Sequence, residues 1–163
     1  MPTYRYRIAD FTPVATATDV LTITGCANKT IQISQISIGG DATAASLYDI
    51  YLIKRVTANT GGTATNPAGV PSSSKNEPHQ ATITLYTGNP SGLGTGLNLD
   101  GDHIFLPAAA TPVYAAPVEY NWGVRGDEKP TLNGANESFC INFGGNAVPS
   151  GASLYLSIEW QEV

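Results

Sequence analysis

Charged side chains are scarce in this chain. Asp, Glu, Lys and Arg make up 13% of its 163 residues, about half the share usual for a globular domain. The basic residues are Arg5, Arg7, Lys29, Lys54, Arg55, Lys75, Arg125 and Lys129, scattered rather than clustered, and the net charge is −5. Without a basic stripe to neutralise phosphates, nucleic acid is not an expected partner. No apolar run approaches the roughly 20 residues that a bilayer-crossing helix needs, so no membrane partner is expected either. Residues 1–10 lack the apolar centre of a secretory signal, and the chain is expected to be made in a cytoplasm. The only two cysteines, Cys26 and Cys140, lie far apart. A reducing compartment favours buried free thiols over a disulfide for them. Histidine is equally sparse. His79 and His103 cannot supply the His-rich ligand cluster of a metal-dependent β-barrel enzyme, and no cofactor is expected.

Short alternating segments separated by turn residues fill the chain instead. The length points to one domain, of which about two-thirds of the unfolded surface would be buried on folding. Residues 20–24 read as a strand closed by Gly25. Ile31 and Ile33 share one parity, whereas Ile36 and Ile38 share the other. Keeping all four on one face needs one extra residue, so Ser34-Gln35 reads as a β-bulge. Residues 47–56 (LYDIYLIKRV) form the most continuous apolar run and read as a central strand covered on both faces. Residues 57–80 hold three prolines, three glycines and almost no large apolar side chain, which predicts one long loop. Alternation resumes at 81–86, at 103–106 and at Val118, Tyr120 and Trp122. Phe139, Ile141 and Phe143 make one apolar face, and Leu154, Leu156, Ile158 and Trp160 another, pairing as an expected hairpin. No 3.6-residue pattern persists. The expectation is an all-β fold: an antiparallel β-sandwich of about 8–10 short strands, jelly-roll or Greek-key. Residues 11–163 would form that single domain, with residues 1–10 as an N-terminal arm or an edge strand.

Motifs that carry chemistry are nearly absent. Asn98, Asp100 and Asp102 open like a calcium loop, but His103 and Ala109 stand where an EF-hand needs glycine and glutamate. A turn before a strand is the plainer reading. Residues 92–96 (GLGTG) lack the third glycine of a dinucleotide fingerprint, and Ser72–Lys75 matches S-x-x-K in spelling only. Asp127 and Glu128 are adjacent and diverge. Arg125-Gly126-Asp127 spells an adhesion tripeptide, yet glycine and aspartate are also what a turn requires. The chain is therefore expected not to be an enzyme.

Contact residues are the better candidates. Tyr4 and Tyr6 alternate with Arg5 and Arg7, and tyrosine and arginine are enriched at protein interfaces. Asp49 and Arg55 share a parity and are read as lying on a partner-facing surface. Trp122 is read as core or contact, and Arg125 as an exposed turn residue.

The run YDIYLIKRVTANTGGTATN, the YTGNP turn and the closing NGANESFCINFGGNAVPSGASLYLSIEW resemble small β-rich structural proteins of tailed bacteriophages, among them capsid decoration, or cement, proteins. The resemblance implies a jelly-roll homotrimer on the outer surface of the virion head, with the major capsid protein as its partner. A tail or head-fibre module that binds host-surface carbohydrate is the alternative, because the fold would be the same and polar loops such as 57–80 could stack on sugars.

Overall fold

Among the described residues, alternation of apolar and polar side chains becomes twelve β-strands, and no helix occurs. The computed structural model describes every residue except 112, 114 and 124–127. The strands are β1 (Thr3–Phe11), β2 (Asp19–Thr24), β3 (Thr30–Asp41), β4 (Ser46–Arg55), β5 (Thr63–Thr65) and β6 (Val70–Pro71). They continue as β7 (Thr82–Gly88), β8 (Gly96–Leu106), β9 (Val118–Asn121), β10 (Thr131–Asn133), β11 (Ser138–Asn142) and β12 (Ser153–Glu162).

Two antiparallel sheets pack face to face. The first has the order β10-β3-β12-β1-β6, with β9 joining β10 along the same edge of β3; the second has the order β5-β7-β2-β11-β4-β8. Both follow from one long hairpin wrapped around a core. In it β1 pairs with β12, β2 with β11, β3 with β9 and β10, and β4 with β8. Rolling up that ribbon sends successive pairs to alternate sheets, which is jelly-roll connectivity. The sandwich is thus the fold read from the sequence, and the topology selects its jelly-roll form.

The tip of the hairpin is the stretch between β4 and β8, and here the expected loop 57–80 is corrected. It contains β5, which extends the second sheet beside β7, and β6, which pairs with β1. Both are too short, and too rich in Thr, Ala and Pro, to show as alternation. The expected hairpin of the last two strands is also corrected: β11 pairs with β2 and β4, β12 with β1 and β3. Their apolar faces meet across the core rather than side by side. Of the residues read as an arm or edge strand, all but the first two belong to the sandwich as β1, which pairs with β12 along one edge and with β6 at Tyr4 and Arg5 on the other.

Side chains of both inner faces fill the space between the sheets. Ile23, Ile31, Ile33, Ile36, Ile38, Ile50, Leu52, Leu156 and Trp160 are fully buried. Each such aliphatic side chain contributes about 1.5–3 kcal/mol relative to exposure. The bulge expected in β3 is present, since Gln35 faces Glu159 while Ile33 faces Trp160, leaving Ser34 without an opposite residue. It flips the parity so that all four isoleucines stay inside. A second bulge lies in β1, where Ala9 and Asp10 intervene between Ile8, opposite Leu156, and Phe11, opposite Leu154. Asp10 takes a left-handed φ of 57° there, a conformation that a bulge demands and aspartate tolerates.

Candidate functional site

The outer face of the second sheet carries polar residues that the hairpin tip covers. Register places Asp19 opposite Asn142, and Asn142 opposite Tyr51, on the outward side. Arg55 shares that side. Its Nε and one terminal nitrogen donate to the two oxygens of Asp19, each at 2.8 Å, and its other terminal nitrogen donates to the Gly94 carbonyl at 2.5 Å. Asn59 and Asn142 each donate to Asp19 at 2.6 Å. The side chains of Arg55 and Asp19 are 6% and 0% exposed. Burial alone would raise the Asp19 carboxyl, but the bonds from Arg55, Asn142 and Asn59, with the Arg55 charge, outweigh it and hold the group below the ordinary carboxylate range. Gly94 sits so close to the Thr57 carbonyl that a Cβ would approach its oxygen to 1.9 Å. Residues 57–60 and 91–95 are therefore clamped over the sheet. Beneath them Cys140 is fully buried, and burial followed by the Asp19 charge pushes its thiol up to about 12.

A second buried cluster closes the other sheet. Tyr4 stacks on Trp160 with centroids 5.7 Å apart, and His79 meets both rings edge-on. The Gly69 amide donates to His79 Nε2 at 2.8 Å, which leaves Nδ1 to carry the ring proton and donate to the Ala81 carbonyl at 2.7 Å. Glu162 accepts from the amides of Gln80 and Ala81 and from the Trp160 indole. These bonds strap residues 69–81 across the end of the core.

Two sequence candidates are corrected by this geometry. Tyr4 is 1% exposed and Arg55 is enclosed by the hairpin tip, so neither side chain is presented to a partner. Tyr4 shares the parity of Tyr6 and Ile8, which faces the core, and Arg55 is covered by a segment distant in sequence. The other candidates lie nearer the surface. Arg5 pairs with Glu159 on the outer face of the first sheet, and Arg7 lies 6.0 Å above the ring of Tyr155. Tyr6 is half-buried beside a pocket of about 460 Å³ that Arg5, Arg7, Ala68, Val70 and Pro71 also line. Asp49 pairs with His103 across β4 and β8. Trp122 is partly buried, stacked on Tyr120 and edge-on to Phe139. Arg125 lies outside the described residues.

No family model, curated protein or solved structure matches this chain.

The longest exposed feature is one that sequence reasoning misplaced. Residues 98–102, read as a turn, belong to β8, an eleven-residue edge strand paired only with β4 among the described residues. Leu97 is 82% exposed, and Leu99, Phe105 and the facing Leu47 are also open to solvent. Asp100 and Asp102 flank these leucines. Among the described residues no three His, Cys, Asp or Glu side chains gather to hold a metal ion. What the exposed surface offers is contact area: an acidic, leucine-studded edge at β8 and an arginine-lined pocket at β1 and β6.

Proposed function

We propose that this protein is a bacteriophage capsid decoration protein, one that binds the outer surface of the head as a homotrimer, contacts the major capsid protein and stabilises the shell. The observation that carries the reading is where the polar side chains are. Asp19, Arg55, Asn59, Asn142, His79 and Glu162 all bind strands and straps of the fold to one another. Such a molecule is a rigid block with large outward surfaces. Binding only the assembled, expanded lattice, it would stabilise that lattice by mass action against the pressure of packaged DNA. The resemblance of residues 48–66, 86–90 and 133–160 to phage structural proteins, and the sparse surface charge, support the same reading.

Purified protein mixed with heads lacking it, then imaged, tests the proposal. Regular knobs at threefold or quasi-threefold positions, and shells that resist heating better, are expected. Bare shells, together with binding to host cells or a glycan array, would replace it with the carbohydrate-binding fibre reading.

A further inference from the structure

The two flanks of the sandwich differ in character, and the difference is built from strand edges. On one flank β8 exposes its free edge over Gly96–Leu106, and β9 lies across from it on β3. Exposed acids here are Asp100, Asp102 and Glu119, with Asp49 close by on β4. Of the bases on this flank, Lys54 pairs with Glu137 at 3.2 Å and His103 with Asp49, while Lys129 donates to the neutral Gln161 side chain at 2.6 Å and keeps its charge, outnumbered by Asp100, Asp102 and Glu119. Negative potential therefore concentrates along β8. Tyr120 registers it: its phenol is pushed up to about 12, first by burial and then by the charges of Asp100 and Asp102. Three large apolar side chains, Leu97, Leu99 and Phe105, stand exposed on the same strand. Long exposed apolar edges invite pairing with another chain unless something covers them.

On the opposite flank β5 and β6 lie together, since only residues 66–69 separate them. β6 pairs with β1 at Tyr4 and Arg5 alone. Beyond that point β1 keeps one edge unpaired among the described residues, with Arg7 beside it, whereas the charge of Arg5 is already met by Glu159. Arg7 has no carboxylate partner among the described residues, only the face of Tyr155. The pocket next to it has an apolar wall of Ala68, Val70 and Pro71, and Val70 is 68% exposed.

We infer that the β8 edge of one copy docks against the β1–β6 flank of a second copy, carboxylates of Asp100 and Asp102 facing Arg7, and leucines of β8 facing the Val70 pocket. Charge decides the arrangement. An acidic edge repels itself, as does an arginine-lined flank, so a twofold contact of either surface with itself is disfavoured. Only a head-to-tail contact matches unlike charges and apolar patches together. Head-to-tail contacts close into rings when the rotation allows and otherwise run on as filaments. This deepens the trimer in the function proposed above by naming its surfaces, and it rests on that reading only for the number of copies.

Sedimentation and light scattering of the full chain, without any shell present, test it. The wild-type protein should associate in a concentration-dependent way. Arg7→Glu alone, or Asp100→Arg with Asp102→Arg, should each weaken association about tenfold or more through like-charge contact. Joining all three substitutions in one chain exchanges the signs on both surfaces and should restore association towards the wild-type level. A twofold contact of either surface with itself would not be rescued this way, and failure of the rescue overturns the head-to-tail arrangement. A monomeric wild-type protein, or charge reversals without effect, overturns the contact itself. Should a variant fail to fold, hydrogen exchange on the wild-type protein decides. Residues 96–106 and 5–9 must gain protection together as concentration rises, and unchanged protection in either refutes the docking. Because no shell is used, failure here leaves capsid binding to its own test.

Discussion

Replacing Arg55 or Asp19 by alanine perturbs the most enclosed charges in the molecule. Asp19 accepts four hydrogen bonds, two from Arg55 and one each from Asn59 and Asn142. Without Arg55 its carboxylate stays buried with two amide donors and no countercharge. Without Asp19 the guanidinium keeps, among the described residues, only its bond to the Gly94 carbonyl. Removing one member of a buried pair costs about 3–5 kcal/mol, because the survivor's desolvation is no longer offset. For a chain of this length that corresponds to a fall of about 6–20 °C in Tm. Urea titration of both single variants and the double variant gives the coupling directly, and the double should fall short of the summed losses by about 1–3 kcal/mol.

Hydrogen exchange supplies the structural half of the same test. The pair is what ties the hairpin tip to the second sheet, so amides in 57–60 and 91–95 should lose protection in either variant while the β3–β12 ladder keeps its own. A loss below about 1 kcal/mol is the value of an exposed ion pair. That result, or strict additivity in the double variant, would refute the claim that this pair clamps the tip.

Acid should act through the same carboxylate. Asp19 lies below its ordinary value in the folded state, so its contribution is full above about pH 4 and disappears as pH falls through the native value; Asp19→Asn should flatten the Tm–pH curve there. At pH 8 a thiol reagent should label the half-exposed Cys26 readily and Cys140 only as the protein unfolds, since a thiol near 12 is almost entirely protonated. Gly69→Ala should cost about 1–3 kcal/mol and shift the tryptophan emission, because the new methyl would meet the Trp160 ring at 2.3 Å. Asp10→Gly should raise Tm by a few degrees by relieving the left-handed bulge residue.

Much of the fold was legible because half-buried strands have a period of two. Leu154, Leu156, Ile158 and Trp160 all point inward in β12, and the parity switch between Ile33 and Ile36 revealed a bulge before any pairing partner was known. Pairing itself was not legible. β11 and β12 are neighbours in sequence with matching apolar faces, and nothing in either distinguishes a hairpin from two strands facing each other across a core. That choice belongs to the whole ribbon, whose ends meet at β1 and β12.

The contact surfaces were hardest to read, for a physical reason that the misplacements share. Parity tells which side of a sheet a residue occupies but not what lies on that side. Asp49 and Arg55 do share the outer face of the second sheet, yet the hairpin tip covers one end of that face and not the other. Arg55 is sealed against Asp19, while Asp49 stays open to solvent. β8 escaped notice for the converse reason. An edge strand that is wet on nearly every side has no alternation to keep, so Asn98, Asp100 and Asp102 looked like a turn. Loss of the period-two signal in a segment that still pairs is itself what an exposed edge looks like in sequence. Here that segment also carries leucines at 97 and 99, which an edge held permanently in water has reason to exclude.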